Sequence, residues 1–378
     1  MLCILFPLQA KINATAQNRV MRHKHASPLI SLLLATSTLV TPVYANKPLF
    51  EDDKPIKAVL SAPLSQLYKQ RKKEVRLYQD ATLSFQGEHG TQKANLKVRT
   101  RGNWRRLNCK HPPLRLNFKK KANDGGLFER QDKLKLVGQC KNGSKYEEFV
   151  GLEYLVYKIW EELSPHHLKS RRIEMSYVDT DERMKPRTVN TFVIESIEDA
   201  AKRSNKKLLD IEKIKRRQLD RQATALAEIF QLFIGNTDYS TITGQPGSTC
   251  CHNIRLIADK TDSPETSTGV IPIPYDFDVS GFVDAPYAAP AAQYPIEDVR
   301  RRYFSGTCKE ERHFTSAITR FNDRKTAIYD IVNNAEFLST FSLKKTRNYL
   351  DAFYTLIDNP ERVQKEILER CRGSLIKG

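Results

Sequence analysis

The sequence predicts an α+β protein, β-rich in its first part and mainly helical in its last. Three observations predict it. Short runs before residue 140 alternate apolar with polar residues, as half-buried strands do. From Phe149 the apolar residues change to helical spacing: Phe149, Leu152, Leu155, Val156, Ile159, Trp160 and Leu163. Between residues 317 and 371 helical patterns follow one another, as in Ile328/Ile331, Leu343/Tyr349/Leu350/Phe353 and Val363/Ile367/Leu368.

The N-terminal segment is read first, because it bears on where the fold begins. Met21-Arg22-His23-Lys24-His25 is a basic start, residues 29–40 are an apolar run, and Val43-Tyr44-Ala45 offers a small-residue cleavage site. That is the order of a secretory signal peptide, and the run is short for a membrane span. The expectation is an upstream over-call over residues 1–20, a signal peptide over 21–45 and a polar, proline-containing linker over 46–63. No transmembrane segment is expected after cleavage, and the location follows as periplasmic or secreted. The remainder is long enough for one large two-lobed domain or two ordinary ones.

Strands are expected over residues 75–85 and 94–100, with a turn at 87–90 between them. Two more are expected at 114–118, where Leu-Arg-Leu-Asn-Phe alternates cleanly, and at 133–137. The helix over 149–163 is framed by Glu147-Glu148 and Pro165. Residues 173–178 and 191–194 read as paired strands. Residues 202–221, dense in Lys and Arg, read as a solvated helix or loop, or as a basic lid. Leu226, Ile229, Phe230 and Phe233 form one face of a further helix, with Gly235 where a left-handed C-terminal cap belongs. There is no internal repeat and no long low-complexity segment.

Cysteine and charge narrow the environment. Without the leader six cysteines remain, Cys109, Cys140, Cys250, Cys251, Cys308 and Cys371, an even number that suggests disulfides in an exported chain. Cys109 with Cys140 is the preferred pair, since the two flank what reads as one sheet. Cys250 and Cys251, being adjacent, are expected to reach separate partners such as Cys308 and Cys371. No spacing is that of a zinc site. The formal net charge of +18 favours an anionic ligand or nucleotide as partner, though a solvated basic surface would look the same. Nucleic acid is not expected, because a single aromatic, Trp104, interleaves the basic cluster.

Two constellations carry chemistry. In Tyr275-Asp276-Phe277-Asp278, an extended backbone would point both carboxylates one way with Phe277 behind them, a natural seat for Mg²⁺ or Mn²⁺ shared with substrate phosphates. Asp238, after Gly235-Asn236, is placed to accept the proton of an attacking hydroxyl, and Asn253 to offer an amide oxygen to the metal. His252 reads as a structural hydrogen-bonder. Upstream, Arg99, Arg101, Arg105, Arg106, Lys110 and Arg115 gather around Gly102-Asn103-Trp104, with guanidinium forks suited to phosphate oxygens.

These residues reach a resemblance. Arg101-Gly102-Asn103-Trp104, followed by Pro113-Leu114-Arg115-Leu116-Asn117-Phe118, resembles the N-lobe signature of the CotH (spore coat protein H) kinase family. Glu195, after Phe192-Val193-Ile194, is similar to the acid that ends one of that family's strands. Gly235-Asn236-Thr237-Asp238, Asn253 and Tyr275-Asp276-Phe277-Asp278 are similar, in order, to its catalytic aspartate and metal-binding Asp-x-Asp. The resemblance spans residues 98–281. It implies a protein-kinase-like two-lobed architecture, with a β-rich lobe over 64–200 and a helical lobe over 201–378. It further implies Asp238 as catalytic aspartate, Asn253 and Asp276 as metal ligands with Asp278 auxiliary, and Arg101, Arg115 and Glu195 on the cofactor side. Where the family has a basic residue before its strand this chain has Pro112-Pro113, leaving Lys110 and Lys135 as candidates for the phosphate-anchoring lysine.

The implied activity is metal-dependent phosphoryl transfer, with ATP as the nucleotide and a protein or glycan hydroxyl as acceptor. ATP is scarce outside the cell, which weighs on the choice of donor. Two other readings use the same residues. One is a catalytically silent envelope protein that binds a polyanion through its basic face, and the other a metal-dependent phosphoester hydrolase.

Overall fold

The computed structural model describes residues 48–87, 90–119, 126–244, 248–261, 263 and 265–375. The expected leader, the upstream stretch and the tip of the 87–90 turn lie outside the described residues.

The first strand of the described residues, β1 (Ile56–Ala62), falls inside the stretch read as a linker. Ile56, Ala58, Leu60 and Ala62 point inward, but two of the four are alanines, which mute the alternation. A short helix, α1 (Leu64–Lys69), follows Pro63. Then come β2 (Gln79–Gly87), β3 (Gly90–Thr100), the one-turn α2 (Trp104–Asn108), β4 (Leu114–Phe118) and β5 (Lys133–Val137). The two last strands coincide with their expected limits. Helix α3 (Ser144–Leu163) precedes the antiparallel pair β6 (Ser170–Asp179) and β7 (Arg187–Ile194).

These seven strands close into a barrel in the order β1-β2-β3-β4-β5-β7-β6, shut by parallel pairing of β1 with β6 and antiparallel elsewhere. Its interior is filled by alternate residues, among them Leu60, Leu83, Val98, Leu116, Leu134, Met175 and Val193, with Phe128 stacked on Phe118. Closure removes the exposed edges that an open sheet would have to protect.

Beyond the barrel lie α4 (Ile197–Arg203), the two-residue β8 (Lys207–Leu208), α5 (Arg221–Ile234), β9 (Ile254–Ala258) and β10 (Ile271–Pro274). β8, β9 and β10 form a small antiparallel sheet in the order β10-β9-β8. The basic stretch 202–221 is thus the end of α4, an edge strand and a 3₁₀ turn rather than a lid. Helices α6 (Glu311–Asp323), α7 (Lys325–Asn333), α8 (Thr340–Ile357) and α9 (Pro360–Val363) complete the chain.

The protein-kinase-like two-lobed architecture is corrected by this arrangement. The β-rich part is a closed seven-stranded mixed barrel rather than an open lobe. A division at residue 200 would also cut through one core. Leu155, Ile159, Trp160 and Phe192 pack together with Phe230, Phe233, Phe321 and Phe353 from the later helices. The sequence pattern gave the element types, but it did not show that β1 would reach β6 and shut the sheet.

Three disulfides are present, as expected of a chain folding in an oxidising compartment. Cys109–Cys140 is as read, and Cys308 pairs with Cys371. Cys250 and Cys251 bond to each other, which corrects the expectation of separate partners. Among the described residues no helix is long and apolar enough to cross a membrane.

Candidate functional site

Helix α5 fixes the first site residue. Its face of Ile229, Phe230 and Phe233 is buried, and it ends at Gly235 in the left-handed conformation (φ 64°), as read. A Cβ there would run into the Tyr349 hydroxyl and the Val299 carbonyl, so glycine is required twice over. The following residues are held tightly. Asn236 donates to Gln231 Oε1 at 2.9 Å and accepts from the Asp238 amide at 2.9 Å. Asp238 is left with its carboxylate 42% exposed.

That carboxylate has two side-chain partners. His252 Nε2–H donates to Oδ1 at 2.7 Å. Asn253 Nδ2 donates to Oδ2 at 3.0 Å and to the Asp238 carbonyl at 2.7 Å. The hydrogen bond to Asp238 raises the His252 imidazole above its ordinary range. With both its donor hydrogens on Asp238, Asn253 keeps its amide oxygen for another cation-like partner.

Asp276 joins from β10. The Tyr275 amide donates to the Asn253 carbonyl at 3.1 Å, and the Asp276 amide donates to the Tyr157 hydroxyl at 3.0 Å. Phe277 is fully buried behind, 4.7 Å from the Tyr157 ring and 5.6 Å from Phe230. Asn253 (φ 51°) and Asp276 (φ 65°) both stand in the left-handed region, a strained choice for non-glycine residues that is enriched at functional sites.

The left-handed turn at Asp276 breaks the alternation on which the paired reading of Asp276 and Asp278 rested. Asp278 turns inward to Arg105 Nη1 at 3.5 Å, which also faces Glu153 of α3 at 3.6 Å. Burial raises the Asp278 carboxyl, with Arg105 opposing. Burial and the Asp278 charge push Glu153 up to about 8. Asp278 is thus engaged with Arg105 in an interior cluster with Glu153, a different role from the auxiliary metal ligand that the resemblance implies.

The cations sort themselves as clearly. A cleft of about 690 Å³ opens beside β4, β5 and the small sheet, lined by Arg115, Lys135, Glu195, Arg255 and Tyr275 at its polar side and by Leu168, Ile194 and Leu209 at its apolar side. Lys135 Nζ lies 4.1 Å from the Tyr275 ring centre, and Arg255 lies 5.1 Å from it. Burial and the neighbouring Arg101 push Lys135 down to about 7, with Asp276 opposing. Burial also lowers Arg101, again with Asp276 opposing. Lys110 is exposed in a separate depression with Tyr68, Lys69 and Arg71, outside the cleft. Glu195 lines the cleft, but its carboxylate is taken by Arg203 at 2.8 Å and the Lys169 amide at 3.0 Å.

Hydrogen bonds thus tie Asp238 to Asn253 and Asn253 to the residue before Asp276, while Arg115 and Lys135 line the neighbouring cleft, which Asp238, Asn253, Asp276 and Arg101 do not line. The structure places Lys110 in a separate depression and engages Asp278 with Arg105. Sequence reasoning passed over Glu153, Arg255 and Tyr157. Glu153 carried a signal, an acid three residues after Val150 and four before Tyr157 on a stripe that helical spacing buries. For Arg255 and Tyr157 no such local signal exists.

Among the described residues no group of three or more His, Cys, Asp and Glu is arranged to hold a metal ion. Asn253 and Asp276 supply two oxygen donors. Two are too few for an ion held by protein alone, and a Mg²⁺-type ion would need water and substrate phosphate to complete its shell. No protein-family model, curated protein or solved structure matches the chain.

Proposed function

We propose that the chain is an exported, CotH-like phosphotransferase, working in the periplasm or outside the cell, which moves a phosphoryl group to a hydroxyl of a protein or glycan. The reading takes from the CotH family the order of its site residues, not its fold. One observation carries it: Asp238, half-exposed, is gripped by His252 and Asn253, and Asn253 is tied through its carbonyl to the residue before Asp276, beside the cleft that Arg115, Lys135 and Tyr275 line.

In that reading Asp238 accepts the proton of the acceptor hydroxyl as its oxygen forms a bond to phosphorus, and the bond from phosphorus to the donor's bridging oxygen breaks. His252 fixes the orientation of the carboxylate. Arg101, Arg115 and Lys135 neutralise charge on the transferring and leaving phosphates. Asn253 and Asp276 would hold a Mg²⁺ or Mn²⁺ ion, which would add further charge neutralisation on the phosphate oxygens.

The test is transfer from nucleoside triphosphate to a peptide or glycan mixture with Mg²⁺ or Mn²⁺, scored by mass spectrometry. Wild type should phosphorylate an acceptor, and Asp238→Asn should lose about 10²–10⁴ of the rate. Asp276→Asn should lose the metal-dependent rise in thermal stability with nucleotide. If wild type gives neither transfer nor a thermal shift with any metal–nucleotide pair, the reading fails.

A further inference from the structure

The outer face of the barrel carries a row of cations that the site above uses only in part. Arg99 of β3 pairs in register with Arg115 of β4, and Arg115 with Lys135 of β5. Their chain neighbours Val98, Leu116 and Leu134 fill the barrel interior, so the three cations share the outer face, side by side across adjacent strands. At a strand spacing of about 4.8 Å the row is about 10 Å long.

Like charges directly opposite each other destabilise a sheet. Natural sheets usually relieve such a row with acids, and the next position on β3 does so: Lys97 faces Asp80 at 3.6 Å. Here the relief comes from ring faces rather than acids: Arg99 lies 4.9 Å from the Tyr78 ring centre and Lys135 4.1 Å from that of Tyr275. Among the described residues, no ion pair joins Arg99, Arg115 or Lys135 to a carboxylate, and the Nε atoms of Arg99, Arg101 and Arg115 are buried without an acceptor. Burial, with Arg106, Arg99 and Arg115 close by, holds Arg76 below the ordinary arginine range. Arg106 itself bonds only the Gly102 carbonyl, at 3.0 Å.

Arg115 and Lys135 line the cleft, whereas Arg99, Arg76 and Arg106 lie outside it. The cations thus form a track that begins at the reacting end and leaves along the barrel wall. A nucleoside triphosphate seated in the cleft would be served by Arg115, Lys135 and Arg255 and would leave the outer arginines without an anionic partner. We infer that the track binds a linear phosphate chain longer than a triphosphate, with Arg99, Arg76 and Arg106 gripping the part that runs out of the cleft. Closely spaced forks in a line suit a ligand that presents charge at every unit, and guanidinium binds phosphate oxygens two at a time. The inference names the donor-side ligand of the function proposed above and rests on that reading only for the direction of the chain.

The experiment is binding of the full chain to long-chain inorganic polyphosphate, with tripolyphosphate, heparin and polyglutamate as comparison ligands, in wild type, Arg99→Gln and Arg106→Gln. Long-chain polyphosphate should bind most tightly. Each substitution should weaken it about tenfold, the loss of one charge-assisted contact, and leave tripolyphosphate unchanged. The slope of log affinity against log salt should fall by about one per arginine removed. Unchanged thermal unfolding without ligand would show that the variants fold.

Equal loss for tripolyphosphate and the long chain, or no loss for either, would overturn the track. So would heparin or polyglutamate binding as tightly as polyphosphate, the first pointing to an anionic polysaccharide and the second to an acidic peptide. The two proposals fail separately. Polyphosphate binding without transfer from any donor would sink the activity and keep the track, while transfer from nucleotide without polyphosphate binding would do the reverse.

Discussion

Arg105 and Arg115 sit ten positions apart in the chain on either side of one disulfide cysteine, Cys109, and are treated in opposite ways. Arg105 reaches inward between Glu153 and Asp278, and its side chain and those of the two acids are 3–12% exposed. Against the cost of burial, Tyr287, Asp278 and Glu153 raise its affinity for the proton. Arg115 stands in a rank of like charges without an acid. The first arrangement joins helix α3, the turn after β3 and the Asp276–Asp278 segment into one unit. The second costs stability, offset within the protein only by the Tyr78 and Tyr275 ring faces beside Arg99 and Lys135. The difference separates the charges that build the site from those that await a ligand, although the sequence offers both as one arginine-rich cluster.

The largest expected effect tests the first half. Arg105→Ala should destabilise the protein by about 3 kcal/mol, because it strands two buried acids without their cation. Urea unfolding against wild type measures it. A loss no greater than that of Arg99→Gln would erase the distinction between the two clusters.

That distinction marks the limit of what the sequence could show. Strand limits at β4 and β5, the apolar face of α5 and the cap at Gly235 were legible because each is fixed by neighbours in the chain. The Cys109–Cys140 disulfide was legible because both residues flank recognisable strands. Barrel closure was not, since it depends on β1, half alanine on its inward face, meeting β6. Asp238, Asn253 and Asp276 could be chosen as residues that follow apolar segments. The fate of Asp278 could not, because it turns on a left-handed residue at Asp276 and an arginine from the one-turn helix after β3. The bond between Cys250 and Cys251 ran against the ordinary expectation that adjacent cysteines pair elsewhere.

Glu153 sharpens the first half further through pH. Its folded affinity for the proton is raised above the unfolded one, so it contributes stability that is fully present below about pH 4.5 and is lost as pH rises through about 8. Glu153→Gln keeps the neutral, hydrogen-bonding form. The variant should therefore match wild type at pH 5 and exceed it at pH 8, each pH unit being worth at most about 1.4 kcal/mol. Unfolding curves at three or four pH values across that window are the measurement. Parallel pH profiles for the two proteins would mean that Glu153 is charged in the folded state, paired with Arg105 as an ordinary ion pair.

The smallest effect has the opposite sign, and only the second half of the comparison explains it. Arg115 faces Arg99 on one side and Lys135 on the other. Arg115→Gln relieves two like-charge contacts and should stabilise the protein without ligand by roughly 0.5 kcal/mol. Raising the salt should shrink the gain, since screening weakens the repulsion in wild type. Long-chain polyphosphate should reverse the order, because a ligand that binds the folded state raises its stability and does so less where an arginine is missing. Thermal unfolding of both proteins, with and without polyphosphate at low and high salt, reads all three effects in one series. A loss of about 1 kcal/mol or more without ligand would instead make Arg115 a structural residue like Arg105.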